Sequence, residues 1–381
     1  MGKFGKKNEV SLNPLDFGIC LLGESGIGKT TLAKEVCEKL VGDEGYIHFD
    51  IGREEGALAI QGIVSEHIGS WEKLKEVVDD IVENKDSDYP ELRTIIWDTL
   101  DELVLLAEKE SIRLYNKKQN PENRVDTISA AWGGFMRGQD KALELIIDII
   151  WKLKEVNVSP IIIGHVKRSD VIDPITQETY SKLTADTTQR YFNGLKNKMH
   201  VIGLGYIDRE IVKEKTGRKN VVTKQDITIN KAVSESRVIS FRDDTYSVDS
   251  KSRFPNIVDK IPFESDAFIK AIQDAIKSEQ SKSGISYDDA KKKQDKKDKE
   301  TAKKASEVSK TAKENHIDEN LNAELVETIT ASFKTCSDKE KKTEFKTLLK
   351  ELAPEASSID SLAEMPTRIV HKLADFWNEE E

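Results

Sequence analysis

Cysteine and long apolar segments are both scarce in this sequence. The three cysteines, Cys20, Cys37 and Cys336, lie far apart and are odd in number, so they fit neither a disulfide framework nor a zinc-binding spacing. No apolar run approaches the roughly 18 residues that a membrane-spanning helix needs, and no apolar signal segment follows the basic start. We therefore expect a soluble, cytoplasmic protein of a reducing compartment, with no membrane partner.

An excess of positive charge is also missing. The 381 residues include 59 Lys and Arg against 69 Asp and Glu, a formal net charge of −10. No global positive field therefore attracts the protein to nucleic acid, and any such binding must depend on a local surface.

A glycine-rich stretch lies between an apolar run at residues 17–22 and a helical apolar pattern at residues 31–40. This stretch fits G-x-x-x-x-G-K-[ST] and consists of Gly23, Glu24, Ser25, Gly26, Ile27, Gly28, Lys29 and Thr30, with Thr31 directly after it. Between a strand and a helix, such a loop can surround a phosphate with backbone N–H groups at the helix N-terminus. We predict a nucleotide site in which Lys29 reaches the β- and γ-phosphates and the Thr30 hydroxyl holds Mg²⁺.

Two later apolar runs end in polar residues. Residues 92–98 end in Asp98, and residues 160–165 end in His165. An acid at the carboxyl end of a central strand can hold the water shell of the metal beside Thr30, so Asp98 is the predicted Walker B residue.

The order of these segments predicts an α/β fold. Strands alternate with helices up to residue 200, and from residue 201 three segments alternate like neighbouring strands, with a hairpin at residues 216–220. We predict a P-loop NTPase core whose mostly parallel sheet is extended by antiparallel C-terminal edge strands. Residues 116–134 and 167–186 are predicted as long loops.

The composition changes after residue 281. Lysines and acids dominate residues 291–304 without an apolar face, which indicates a linker or an exposed charged helix. Amphipathic spacing returns at residue 317 and predicts three short helices. The predicted division is an ATPase domain at 1–281, a charged linker at 282–316 and a small helical module at 317–381.

These motifs resemble those of a known family, the AAA-domain nucleotide-binding proteins of bacteriophages, which are RecA-like single-strand annealing ATPases. The resemblance covers about residues 15–276 and is carried by residues 23–31, 95–98, 161–165, 237–242 and 251–255. It implies a RecA-like core with ATP and Mg²⁺ as cofactors. It also implies single-stranded DNA as a partner, hydrolysis between the subunits of a homo-oligomeric ring or filament, and the host cytoplasm for a phage-encoded protein.

The resemblance implies roles for individual residues as well. His165 would sense the γ-phosphate from the tip of its strand. The two long loops would face DNA, with Trp132 available for base stacking. The cations that would contact DNA phosphates are Lys117, Lys118, Arg124, Lys167 and Arg168.

The catalytic acid departs from the family pattern. RecA-type recombinases place a water-orienting glutamate just after the second strand, where this chain has Gly52. Glu54 and Glu55 follow shortly after, and Asp50 and Glu102 are further candidates; without a positioned acid, hydrolysis would be slow. Hydrolysis between subunits also needs a cation that reaches the γ-phosphate of a neighbouring subunit. The candidates are Arg237, Arg242, Lys251 and Arg253, of which we favour Arg253.

The function predicted from these features is a DNA-stimulated ATPase that anneals or exchanges single strands in recombination or replication. Its C-terminal module would dock a partner such as a single-stranded-DNA-binding protein, or modulate assembly. The alternative is a nucleotide-dependent assembly switch, or a helicase-loader-like protein without DNA activity of its own. A third class, helicase or packaging motors, is disfavoured because we see no further helicase-like domain.

Overall fold

The computed structural model describes residues 9–54, 56–172, 175–219, 226–242, 249–356 and 358–378. The strands in these ranges are β1 (Ile19–Gly23), β2 (Tyr46–Ile51), β3 (Ser65–Ile68), β4 (Thr94–Asp98), β5 (Ser159–Ile172), β6 (Thr179–Ala185), β7 (Val201–Lys219), β8 (Asp226–Ser240), β9 (Lys251–Ser252) and β10 (Lys260–Pro262). The α-helices are α1 (Lys29–Val41), α2 (Trp71–Glu83), α3 (Leu100–Lys117), α4 (Arg137–Glu155), α5 (Gln189–Lys196), α6 (Ser265–Ser281), α7 (Tyr287–Glu314), α8 (Glu319–Thr335), α9 (Lys339–Leu352) and α10 (Thr367–Asn378).

One mostly parallel sheet organises the chain. Strands β7, β1, β5, β4, β2 and β3 lie side by side in this order and run parallel. Strands β8 and β10 extend the sheet beyond β7 in antiparallel orientation, while β6 pairs with β5 and β9 with β7, also antiparallel. The predicted α/β class, with its antiparallel C-terminal edge strands, is confirmed.

Helices cover both faces of this sheet, which explains why its central strands are apolar on both sides. Every residue of β1 and β4 is buried. Cys20 and Leu22 point into a core formed with α2, α3 and α4, whereas Ile19 and Leu21 point into a second core formed with α1 and α6. The carboxyl ends of the parallel strands meet at one edge of the sheet, which we call the carboxyl edge.

Two β-ribbons project beyond the carboxyl edge. Strand β5 continues past the level of Gly23 and folds back as β6, with pairs from Val166↔Ala185 to Ile172↔Thr179. Strands β7 and β8 form the second ribbon, which pairs as far as Lys219↔Asp226; residues 220–225 lie outside the described part. The prediction of a loop at residues 167–186 was wrong because a ribbon is held by backbone pairing, and polar side chains on both faces conceal it from hydrophobic patterns.

The segment predicted as a linker is largely helix α7, which packs on α2. Ser286 caps α7 by accepting a hydrogen bond from the N–H of Asp289. Ala305 and Ser309 are buried, and the Ser309 hydroxyl donates to the carbonyl of Glu83 at 2.6 Å. The side chains that α7 buries in this contact are small, and a pattern of large apolar residues is therefore absent from its sequence.

Helices α8, α9 and α10 share a third core centred on Phe345. The ring of Trp377 lies 5.0 Å from that of Phe345, centroid to centroid. This cluster matches the predicted helical module, while the domain boundaries at residues 281 and 316 stay predictions. Among the described residues, none of the helices combines the length and the apolar character that crossing a membrane requires.

Replacing Phe345 with alanine is expected to unfold this module selectively. Phe345 is fully buried, and a Phe-to-Ala change in a core costs about 3–5 kcal/mol, which a core of this size cannot absorb. Urea denaturation followed by circular dichroism should show an early loss of helix, while ATP hydrolysis is retained. Leu321→Ala, at a partly exposed position on α8, is the control; concerted unfolding of the whole chain would contradict an independent module.

Candidate nucleotide-binding site

The loop between β1 and α1 has the backbone geometry that a phosphate cradle needs. Gly26 and Gly28 have φ angles of +76° and +104°, which side chains with a Cβ rarely adopt. Gly28 is the N-cap of α1, so the free N–H groups and the positive end of the helix dipole face the loop. Ser25, Thr30 and Thr31 line a cleft of about 550 Å³ above it.

Lys29 lies inside this loop. Its side chain is 6% exposed, and Nζ donates hydrogen bonds to the carbonyls of Gly23 and Glu24, both at 3.0 Å. Burial lowers the pKa of Lys29, and the charge of Asp98 partly offsets this effect. An ammonium has three donors, so one remains for a ligand in the cleft.

Thr30 and Asp98 are in direct contact, as the metal prediction requires. The Thr30 hydroxyl donates to Oδ2 of Asp98 at 2.6 Å, and Asp98 pairs in register with Asp50 of β2. Asp98 and Asp50 are both more than nine-tenths buried and both line the cleft. A hydroxyl and carboxylates are the hard oxygen donors that Mg²⁺ prefers, so the residues present fit this ion.

His48 is a member of the site that the sequence analysis missed. It is fully buried in β2, and its Nε2 lies 3.1 Å from Oδ2 of Asp98, to which it donates. Its Nδ1 is buried and has no hydrogen-bond partner among the described residues. No short motif includes this histidine, because only the pairing of β2 with β4 brings it to Asp98.

His165 lies at the carboxyl edge beside the phosphate loop, in register with Gly23. Its backbone N–H and its Nδ1 donate to Oδ2 of Asp101 at 3.1 and 3.2 Å, and the Thr187 hydroxyl donates to the other oxygen of Asp101. The hydrogen bond to Asp101 raises the pKa of His165. Burial alone would raise the pKa of Asp101, but the bonds from His165 and Thr187 outweigh it and lower that pKa.

The contribution of His165 to stability is expected to depend on pH. A raised folded-state pKa means that the stabilisation is complete below the unfolded value of 6.5 and is lost as the pH rises through the folded pKa. His165→Gln should therefore lower the free energy of unfolding by about 1 kcal/mol more at pH 5.5 than at pH 8.5. Chemical denaturation measures this difference, with the surface residue change His371→Gln as the control. A pH-independent loss would refute the pairing with Asp101.

Of the two predicted catalytic glutamates, Glu54 lies in the part of the chain that the structure describes. Glu54 lines the cleft, and its carboxylate lies 3.7 Å from Nδ1 of His165. Burial raises the pKa of Glu54, the charge of His165 opposes this, and Asp98 and Asp101 add to it. Glu55 lies outside the described residues.

Gly52 occupies the position at which the resemblance to RecA-type recombinases predicts a glutamate. Its φ is +78°, and a Cβ added there would lie 1.9 Å from Oε2 of Glu102. The carboxylate of Glu102 therefore occupies the space that a side chain at position 52 would need.

Four cations were predicted to reach the γ-phosphate of a neighbouring subunit. Of these, only Arg237 contacts the phosphate loop in the described part of the chain. Its Nη1 donates to the carbonyl of Ile27 at 3.2 Å. Arg253, the favoured candidate, lies at the opposite end of β7, where its guanidinium donates to the carbonyl of Asn197 and its N–H to that of His200. Arg242 and Lys251 also donate to carbonyls of their own chain. The role of Arg253 as the cation that reaches a neighbouring γ-phosphate stays a prediction, which its position does not support.

The five cations predicted to bind DNA fall into two separate groups. Lys167 donates to the carbonyl of Asp186, and Arg168 lines a cleft between the two ribbons next to Glu24. Lys117, Lys118 and Arg124 lie at the far end of α3, about 25 Å along the helix from its start beside Asp98.

Comparison with known proteins agrees with this geometry. Residues 17–254, more than half of the chain, match the sequence model of the family described as AAA domain. No curated protein sequence matches the chain.

Proposed function

Because the chain belongs to the AAA domain family, whose members are P-loop ATPases, we propose that it is an ATPase that binds single-stranded DNA and promotes annealing or strand exchange. In this proposal it acts as a RecA-like protein of the bacteriophage type. The observation that supports the DNA part is a groove at the end of α3 that is lined by Lys109, Arg113, Lys117 and Arg124, in a protein whose net charge is −10.

The residues of the cleft divide the work of nucleotide binding. The N–H groups of the phosphate loop and the Lys29 ammonium hold the β- and γ-phosphates. Thr30 and Asp98 hold Mg²⁺, which neutralises phosphate charge when bound. His165 lines the cleft and would donate to the γ-phosphate, and the β5–β6 ribbon begins directly after it.

The groove is built by α3 and the segment after it. Lys109, Arg113 and Lys117 are spaced four residues apart and form one row about 12 Å long on the helix. The Asn116 amide holds the following segment by donating to the carbonyl of Val125 at 2.9 Å and accepting from its N–H at 2.9 Å. This pair of bonds places Arg124 across from the row, and the groove measures about 440 Å³.

The charges in the groove are available to a ligand. Within the described residues, Lys109, Lys117 and Arg124 have no carboxylate at ion-pair distance, whereas Arg113 pairs with Glu110 and Glu72. Unpaired cations in an acidic protein favour a polyanion, and a row of this length matches a short stretch of phosphodiester backbone. Trp132 is less suited to base stacking than predicted, because its indole N–H donates to Ser111 and its ring packs on Tyr115.

Removing these charges tests the DNA proposal. The triple variant Lys109→Ala, Lys117→Ala, Arg124→Ala is expected to bind single-stranded DNA about 10- to 100-fold more weakly. The slope of the logarithm of the binding constant against the logarithm of the salt concentration should fall by about two to three, the number of counterions no longer released. Fluorescence anisotropy at several salt concentrations measures both quantities, and DNA stimulation of ATP hydrolysis should fall in parallel.

The control variant removes the same charge from another surface. Lys291→Ala, Lys292→Ala, Lys296→Ala acts on exposed positions of α7 and should leave DNA binding unchanged. Absence of DNA binding by the unmodified protein at low salt, with and without ATP, would contradict the proposal and favour the nucleotide-dependent switch.

Two partners complete the proposal. We propose a homo-oligomer, ring or filament, because the phosphate loop and Arg237 lie at the carboxyl edge, which a second copy can reach. We also propose that the C-terminal module docks an acidic segment of a single-stranded-DNA-binding protein. Lys341, Lys342 and Lys346 surround the partly exposed rings of Phe333, Phe376 and Trp377 there, with each ammonium within 6 Å of a ring centroid.

A further inference from the structure

We infer that Glu102 is the carboxylate that orients the attacking water during ATP hydrolysis. The inference rests on the proposed hydrolysis and names the acid that the chain uses for it. Glu102 lies in the first turn of α3, four residues after Asp98 and directly after Asp101.

The carboxylate of Glu102 lies against the backbone of Gly52. The carboxylate approaches the backbone so closely that an added Cβ would lie 1.9 Å from Oε2 and 2.6 Å from Cδ. Because β2 ends at Ile51, this point lies at the carboxyl edge, just beyond the pair Asp50 and Asp98. A carboxylate projecting from α3 thus fills the place of a side chain that would project from the end of β2.

Four other acids near Glu102 are already engaged. Asp98 accepts from Thr30 and His48, and Asp101 accepts from His165 and Thr187. The remaining two face histidines at 3.7 Å, Asp50 facing His67 and Glu54 facing His165.

Glu102 differs from all four. Its carboxylate has no hydrogen bond or ion pair within the part of the chain that the structure describes, and it is half-buried. It therefore has both oxygens available to accept hydrogen bonds from water. Its carboxylate lies beside Gly52, two residues after Asp50 and two before Glu54, and both of these acids line the cleft.

The proposed step balances as a hydrolysis. The water oxygen forms a bond to the γ-phosphorus while the bond from that phosphorus to the bridging oxygen breaks, and its electron pair leaves on ADP. Glu102 accepts a proton of the water and then returns it to the medium or to the released phosphate.

Glu102→Gln tests this assignment, since it keeps the shape and removes the capacity to accept the proton. The turnover number for ATP should fall at least 100-fold, while the dissociation constant for ATP, measured by calorimetry in the presence of Mg²⁺, changes less than threefold. Glu54→Gln should lower turnover less than tenfold. The matched surface variant Glu122→Gln should behave like the unmodified protein.

The possible outcomes separate the two proposals. Turnover by Glu102→Gln within tenfold of the unmodified protein would overturn the inference, and a larger loss in Glu54→Gln would move the role to that residue. An unmodified protein that binds ATP but hydrolyses none would contradict the proposed function itself.

Discussion

Replacing Lys29 with alanine is expected to lower ATP hydrolysis by at least ~100-fold, the usual effect of losing a fixed positive charge beside a phosphoryl group. Its ammonium is buried in the phosphate loop, where water screens the charge poorly, so its loss should be strongly felt by a bound phosphate. Steady-state phosphate release measures this effect, and ATP binding should weaken as well.

Lys34→Ala is the control for this change. Lys34 lies on the same helix but pairs with Glu38 at 2.6 Å, outside the cleft. We expect its hydrolysis rate to stay within twofold of the unmodified protein. Hydrolysis by Lys29→Ala within tenfold of that rate would mean that the loop does not hold the reacting phosphates.

Asp98→Asn should lower turnover by about 100- to 1,000-fold, with a higher Mg²⁺ concentration needed for half-maximal rate. The amide keeps the size of the side chain and can still accept from the Thr30 hydroxyl, so the variant removes charge and little else. A magnesium titration of the hydrolysis rate separates weaker metal binding from slower chemistry.

A carboxylate elsewhere serves as the control for Asp98. Asp79 on α2 pairs with Lys152 on α4, away from the cleft, and Asp79→Asn should leave the magnesium dependence unchanged. An unchanged magnesium dependence in Asp98→Asn would remove Asp98 from the metal site.

Local patterns predicted the fold class and indicated the phosphate loop and Asp98 as the centre of a site. The phosphate loop and Asp98 are encoded by a few consecutive residues and by the strands they follow, so the sequence shows them directly. His48 is different, because its contact with Asp98 depends on the pairing of β2 with β4, which cannot be read from neighbouring residues. Glu102 was one of several candidate acids in the sequence, and only its approach to Gly52 distinguishes it from the others.

Two features that hydrophobic periodicity does not reveal have the same physical origin. The β5–β6 ribbon is held by backbone hydrogen bonds between polar residues, and α7 docks through Ala305 and Ser309. Neither contact uses large apolar side chains, which are the signal that hydrophobic periodicity detects. The glycine at position 52, which as a sequence feature only suggested a missing acid, becomes informative once Glu102 is seen beside it.

Helix α3 has a mechanical consequence. It runs without interruption for 18 residues, with Asp101 and Glu102 in its first turn and Lys117 at its last position. Because the helix is rigid and about 25 Å long, a tilt of about 2° about its cationic end displaces its acidic end by about 1 Å. A displacement of this size at a reacting group can change a reaction rate by ~100-fold. Under the proposed function, a DNA strand bound at the cationic end of α3 would alter the chemistry at the acidic end without touching the nucleotide.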